Sequence, residues 1–251
     1  MSGSVNRRFV WGGIAGFIVI AAGAAGYMAH EFKLRDRLLM ADPDAIDAPL
    51  RAWAIPRGRA AYEAHCASCH GLHLAGDPSR GIPNLADHDW LYGTGRVGEI
   101  ERIILYGIRS GNPKAWDLAV MPAFATANPN KFYTMEPLDP REVDDAAAYV
   151  YSLRHPATDP QAVARGDIVF HAKGFCFDCH GGSAHGDSAI GAPDLTDAVW
   201  LYGDGSLRSI TDTIAHGLAG VCPAWIDRLR PDTIRSIAVY LNALSTKATH
   251  D

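Results

Sequence analysis

The sequence predicts an all-α chain: one N-terminal transmembrane helix followed by two tandem copies of a small helical domain. Three observations carry this: a long apolar run near the N-terminus, an ungapped internal repeat, and apolar residues at helical spacing inside each copy. Composition narrows the function classes. With 23 Lys+Arg against 28 Asp+Glu the formal net charge is -5, so no broad phosphate-binding surface and no nucleic-acid partner is expected. Hydrophobic residues make up 48% of the chain, which excludes a disordered protein.

Phe9 to Ala29 is apolar but for Tyr27 and several glycines, and Arg7 and Arg8 precede it. At 1.5 Å per residue such a run reaches about 30 Å, enough to cross a bilayer. Ala22-Gly23-Ala24 resembles a signal-peptide cleavage site, but the run is longer than the usual h-region of about 7–15 residues, which favours a retained anchor. Lys33, Arg35 and Arg37 follow the span, so basic residues alone do not orient it. Residues 1–30 are read as the anchor. Residues 31–56, with Pro43, Pro49 and Pro56, are read as a tether to the first domain.

Shifting the chain by 110 positions lays Cys66-Ala67-Ser68-Cys69-His70 on Cys176-Phe177-Asp178-Cys179-His180. The same shift pairs Pro83-Asn84-Leu85 with Pro193-Asp194-Leu195, Trp90-Leu91-Tyr92-Gly93 with Trp200-Leu201-Tyr202-Gly203, and Gly107 with Gly217. Val120-Met121-Pro122 then pairs with Val221-Cys222-Pro223 at a shorter offset, so the first copy carries loop insertions around Met121. Ile100, Ile103, Ile104 and Ile108, and in the second copy Leu207, Ile210, Ile214 and Leu218, mark one helix per copy. Each copy ends in an amphipathic helix. Asp139, Pro140 and Glu142 form the start of the first, with Val143, Ala147, Val150 and Leu153 as its apolar stripe; Ile234, Ile237, Ala238, Leu241 and Leu244 form that of the second. The expected domains are 57–155 and 160–247, joined by a linker at 156–159.

Four of the five cysteines lie in the two Cys-x-x-Cys-His strings, so they are not a disulfide framework. The string reads as c-type haem attachment: two thiols form thioethers with the haem vinyl groups, and the next residue ligates iron. This predicts two covalently attached haem c groups, on Cys66, Cys69 and His70 and on Cys176, Cys179 and His180. A zinc site would pool four cysteines, and a thioredoxin-like pair needs a strand context that is absent. Pro83 and Pro193 stand 13 residues after each histidine, as in class I cytochromes c, where a proline carbonyl orients the proximal imidazole. Each copy is therefore read as a class I cytochrome c domain. Trp90, Tyr92, Trp200 and Tyr202 are candidates to hydrogen-bond haem propionates, or else are core aromatics. Haem attachment on the outer face of the bacterial cytoplasmic membrane puts both domains in the periplasm of a single-pass protein.

Only Met121 and Met135 lie in the first haem domain, and no methionine lies in the second. Met121 is expected as the distal ligand of the first haem, with Met135 as the alternative. Cys222 takes the equivalent position in the second copy and is expected to bind the second iron as thiolate. The alternatives there are a neutral thiol beside five-coordinate haem, or His216 or His185 as ligand.

At these motifs the chain resembles the di-haem subunit of cbb3-type cytochrome c oxidases, the CcoP/FixP family. The strings concerned are Pro-Asn-Leu…Trp-Leu-Tyr-Gly in the first copy with its Pro-Asp-Leu counterpart in the second, Tyr106-Gly107-Ile108-Arg109-Ser110, and Pro223-Ala224-Trp225, over roughly residues 57 to 245. The resemblance implies a membrane anchor, two periplasmic haem domains, and electron transfer from a cytochrome or quinol-oxidising donor towards a haem–copper oxidase. Cys222 stands where the family has a second distal methionine, which also points to two alternatives: a di-haem enzyme with a His/Cys-ligated active haem, for example in sulfur-compound oxidation, or a haem-based redox sensor. An electron-transfer subunit is favoured over a catalyst on its own, because no carboxylate or histidine pair marks a substrate pocket.

Overall fold

The computed structural model describes residues 7–129 and 134–245, with side chains for 19–127 and 136–245. Expectations placed on residues 1–6, on the Met135 side chain and on residues 246–247 lie outside the described residues. Among the described residues the helices are α1 (Arg7–Met40), α2 (Ala48–His65), α3 (Ala67–His70), α4 (Val97–Tyr106), α5 (Pro140–Ser152), α6 (Pro160–Ile168), α7 (Phe177–His180), α8 (Leu207–His216) and α9 (Pro231–Ser245). A short antiparallel ribbon pairs Asn128–Pro129 with Thr134–Met135 in the first copy's insertion.

Local sequence accounts for the helix starts. The Asp139 carboxylate accepts from Glu142 N at 2.9 Å while Glu142 accepts from Asp139 N at 3.0 Å, a reciprocal cap with Pro140 in the first turn. Asp159 caps α6 by accepting from the amides of Gln161 and Ala162. Ser206 caps α8 in the same manner. A single π-helical turn at Val169–Lys173 carries α6 towards the second Cys-x-x-Cys-His string, where α2 reaches the first without one.

The terminal helices exchange places. One core joins Leu50, Ala54 and Tyr62 of α2, Val97, Ile100 and Ile104 of α4, and Ile234, Ile237, Ala238 and Leu241 of α9. The other joins Val143, Ala146, Ala147 and Val150 of α5 with Val169, Phe170, Ile210 and Ile214. The contiguous domains 57–155 and 160–247 are thereby corrected: the stripe of α5 is buried, but against the second copy, and that of α9 against the first. The physical reason is chain connectivity. Only seven residues separate α5 from α6, and helices joined by short loops pack as antiparallel neighbours. The two stripes come from a duplication, so each helix fits the other's place.

Both crossings use a glycine. A Cβ at Gly58 of α2 would stand 2.0 Å from the Ser236 carbonyl oxygen of α9, and one at Gly166 of α6 would stand 1.9 Å from the Asp145 oxygen of α5. Tyr62 lies beside Tyr240 at 5.9 Å between ring centroids, and Phe170 beside Tyr149 at 5.1 Å. The two cores are thus built to one plan from exchanged parts.

The expected tether is also corrected. Residues 31–40 continue α1, and α2 begins at Ala48. Leu38 is fully buried in the first core. Arg35 pairs with Asp232 at 3.0 Å, and Arg57 with Glu31 at 2.5 Å. Arg235 of α9 donates to Glu101 of α4 and to the carbonyls of Leu38 and Ala41. Pro43 and Pro49 sit in the first turns of helical segments, where no amide is lost from the ladder, and Pro56 lies inside α2, which runs on through it to His65 with one ladder amide missing. Among the described residues no helix is long and apolar enough to cross a membrane. Nearly half of the predicted span, residues 9–18, has side chains outside those described.

The two units meet along a reciprocal seam. Gly93 N donates to Ser188 O and Gly203 N to Pro78 O, both at 3.1 Å. The Tyr92 ring lies against Gly191 and the Tyr202 ring against Gly81. Trp116 Nε1 donates to the Ala189 carbonyl at 2.9 Å and its ring meets Tyr92 edge-on.

Gly58→Ala is expected to destabilise the first core by about 1–3 kcal/mol through overpacking against α9. Denaturant unfolding would check this, and unchanged stability would contradict the close crossing. Gly191→Ala faces both a φ of +77° and the Tyr92 Cε1 at 2.1 Å from the new Cβ. It is expected to cost about 1–3 kcal/mol, seen as a lowered Tm.

Candidate functional site

Each Cys-x-x-Cys-His string folds as one helical turn. His70 N donates to Cys66 O at 3.0 Å and His180 N to Cys176 O at 2.9 Å. Glycine follows each histidine with positive φ, 76° at Gly71 and 73° at Gly181, which turns the chain back. In the first copy the buried Tyr62 hydroxyl holds this turn by donating to Gly71 O at 2.7 Å. Leu85 N then bonds Leu74 O, and Leu195 N bonds Ala184 O, both at 2.8 Å. These bonds close each loop and bring a proline carbonyl beside the imidazole.

His70 Nδ1 lies 3.1 Å from Pro83 O, and His180 Nδ1 lies 3.0 Å from Pro193 O. A carbonyl only accepts, so Nδ1 carries the proton and Nε2 keeps its lone pair. Burial holds both imidazoles below the ordinary histidine range, against a weaker opposing effect of the proline carbonyls. Both rings are therefore neutral near pH 7, the form that ligates a metal. Burial also pushes the thiols of Cys66, Cys176 and Cys222 up to about 11.

A cavity of about 530 Å³ opens beside His180, Cys176 and Cys179. Its walls include Val150, Phe170, Leu195, Ile210 and Ile214, and its polar groups include Tyr92, Tyr202 and Arg109. Largely apolar walls, two thiols, one neutral imidazole and a polar end suit a flat apolar macrocycle with anionic substituents, so the residues present fit a covalently held haem c. At the first string, Cys66, Leu85 and Trp90 pack on the first core, and Trp225 lies over His65 with ring centroids 5.7 Å apart.

The distal candidates are crossed relative to the expectation. Met121 lines the cavity of His180 and packs on the second core, and its carbonyl accepts from Leu218 N at 3.0 Å. Phe124 N bonds Ile214 O at 3.1 Å, which continues the same attachment. Cys222 lies close enough to Cys66 and Cys69 to couple electrostatically with them. Ile108 and Cys222 exchange both backbone hydrogen bonds, at 2.9 and 3.0 Å, directly after α4. Met121 is thus brought to the second string, not the first, and Cys222 to the first, not the second. The cause is the helix exchange: each distal segment runs into the terminal helix that follows it, and that helix packs on the other copy.

His185 bonds Asp194 and Thr196, and His216 bonds the Asp212 carbonyl; neither lines the cavity. Trp90 packs on the first core and Trp200 on the second, whereas Tyr92 and Tyr202 both line the second cavity. Trp225, Trp116 and Arg109 were not singled out as site residues from sequence. Arg109 had one available signal: Ala219 replaces it in the second copy, so it breaks the repeat.

Residues 55–154 match the family model described as cytochrome c, and residues 161–241 match that described as cytochrome c oxidase, cbb3-type, subunit III. Each match is contiguous in sequence, although the folded units are not. The chain is 40% identical over 199 residues to the cbb3-type cytochrome c oxidase subunit FixP of Bradyrhizobium sp., covering 79% of this chain and 63% of that protein. It is 36% identical over 224 residues to FixP of Sinorhizobium medicae, covering 88% and 71%. It is 34% identical over 213 residues to CcoP of Cereibacter sphaeroides, covering 84% and 69%. The matched stretch spans just under two thirds of the length of several of these relatives. The two Cys-x-x-Cys-His strings and their supporting loops lie within that shared stretch, and the chain belongs to the CcoP/FixP family of cbb3-type cytochrome c oxidase subunits.

Proposed function

We propose that this chain is a membrane-anchored di-haem cytochrome c that passes electrons to a cbb3-type terminal oxidase as one of its subunits. The observation that carries the reading is the pair of neutral imidazoles, each oriented by a proline carbonyl and each following two thiols, in units that share one seam. One haem c belongs on Cys66 and Cys69 with His70 as proximal ligand, the other on Cys176 and Cys179 with His180. When bound, haem iron supplies reversible one-electron chemistry. The chain's part is to fix the imidazoles through Pro83 and Pro193, to exclude water with apolar walls, and to present the sixth ligands.

Those ligands are assigned crosswise: Met121 to the second site and Cys222, as thiolate, to the first. Thiolate stabilises ferric iron and lowers the potential, whereas a thioether raises it. With haem held at both, the thiolate would make the first site the low-potential one and the thioether would make the second the high-potential one. Residues 9–29 form the membrane span, and α1 leads from it directly into the first unit, on the periplasmic side where haem is attached. The donor is a cytochrome or quinol-oxidising complex and the acceptor the oxidase.

A second reading is favoured by the thiol at a distal position: catalysis on sulfur compounds, or redox sensing, at the Cys222 site. Thiosulfate-dependent reduction of the isolated protein would support it. Co-purification of the full chain with a haem–copper oxidase, and loss of oxygen-dependent cytochrome c oxidation when it is deleted, would support the first reading. For the crossed ligation, electron paramagnetic resonance of the oxidised protein is expected to show a thiolate-type low-spin signal that vanishes in Cys222→Ser. The signal is expected to persist when Cys176→Ala and Cys179→Ala remove the second haem. Its loss in that double variant would overturn the crossed assignment.

A further inference from the structure

Arg109 stands on the seam just beyond α4, with φ at +48°. A non-glycine residue in this region carries a cost of about 1–2 kcal/mol, so its place is held by other contacts. Nε donates to Gly220 O at 2.6 Å, Nη1 to Ala119 O at 3.1 Å, and Nη2 to the Tyr92 hydroxyl at 3.0 Å. Ala119 and Gly220 are equivalent positions of the repeat, each two residues before a distal candidate, Met121 or Cys222. A single guanidinium therefore grips the same carbonyl in both distal loops. All three acceptors are neutral, and among the described residues no carboxylate pairs with Arg109. Among the described residues it is the only Lys or Arg lining the cavity beside His180. A guanidinium has five N–H groups, so two remain for a further acceptor.

We propose that Arg109 is a positioning residue shared by both haem sites, pinning the Met121 and Cys222 loops together and holding between the sites one positive charge that no carboxylate of the described residues pairs. This rests on the di-haem reading given above. Hydrogen bonds from a charged donor contribute about 1.5–3 kcal/mol each, so losing the grip frees both loops at once. A fixed positive charge disfavours the oxidised, more positive iron, so loss of the charge by itself acts to lower both potentials. The second copy, with Ala219, cannot supply a substitute.

The test uses the full chain carrying Arg109→Gln or Arg109→Lys, with haem content, carbon monoxide binding to the reduced protein and midpoint potentials measured together. Arg109→Gln is expected to keep two haems, to raise the fraction that binds carbon monoxide at both sites by about tenfold or more, and to shift the second site's potential downward, where loss of the charge and release of the thioether act in one direction; at the first site release of the thiolate opposes the loss of the charge. Arg109→Lys keeps the charge but not the fork, so it is expected to raise carbon monoxide binding at both sites while lowering the second site's potential less than Arg109→Gln does. Arg109→Gln with unchanged carbon monoxide binding and an unchanged second-site potential, or with the rise in carbon monoxide binding confined to one site, overturns the proposal. If that variant does not accumulate, Arg109→Lys with wild-type carbon monoxide binding overturns it equally. Fewer than two haems in the unsubstituted chain would overturn the di-haem reading instead.

Discussion

The structure depends on two helix crossings in which a glycine lets backbones touch: α2 on α9 at Gly58, and α6 on α5 at Gly166. In each, an early helix of one copy receives the terminal helix of the other. Neither copy holds a complete core within its own stretch of sequence. The last helix of the chain closes the first unit, and the hairpin of α5 and α6 belongs wholly to the second. Closing the first unit therefore brings together residues as far apart as Arg51 and Asn242, which share a hydrogen bond at 2.6 Å. Such distant pairing carries a loop-closure cost that local helix hairpins do not. A covalently bound haem would add apolar surface to both small cores and help to offset that cost.

The exchange reaches the chemistry because the distal loops travel with the helices. Had each terminal helix packed on its own copy, Met121 would face His70 and Cys222 would face His180. Instead the methionine loop runs along α8 and the cysteine loop along the end of α4. Proximal groups, by contrast, come from short loops within each copy, closed by the Leu74–Leu85 and Ala184–Leu195 backbone bonds. Proximal and distal sides of each site thus come from different copies. That division also puts both distal loops on one seam, where Tyr92, Tyr202 and Arg109 gather.

The first unit is fixed to α1 by side chains of several kinds. Leu38 is buried in its core, Arg235 bonds the Leu38 carbonyl of α1 and that of Ala41 just after it, and Glu31 accepts from both Trp53 and Arg57. Breaking a buried pair such as Arg235–Glu101 leaves an uncompensated charge, a loss of about 3–5 kcal/mol. The first site is therefore rigidly joined to the helix that leads towards the N-terminus, and the second is joined to it only through the first unit and the seam.

The sequence by itself determined the helical class, the duplication, the two Cys-x-x-Cys-His turns and the two proline carbonyls, because each rests on spacing over a few turns. Capping at Asp139 and the buried stripes of α5 and α9 were legible for the same reason: local patterns state which face is apolar and where a helix starts. What those patterns do not state is which neighbour an apolar face meets. After a duplication both stripes suit both copies, and the short connection from α5 to α6 decides between them only in three dimensions. The helical packing of residues 31–56 went unread because the prolines there read as breaks, whereas Pro43 and Pro49 begin helical segments that pack on a core completed by α9. Arg109 was visible as a break in the repeat, but its meaning depends on two carbonyls about a hundred residues apart in sequence. Only the tertiary structure decided the partners of the terminal helices, and with them which sixth-ligand candidate faces which histidine.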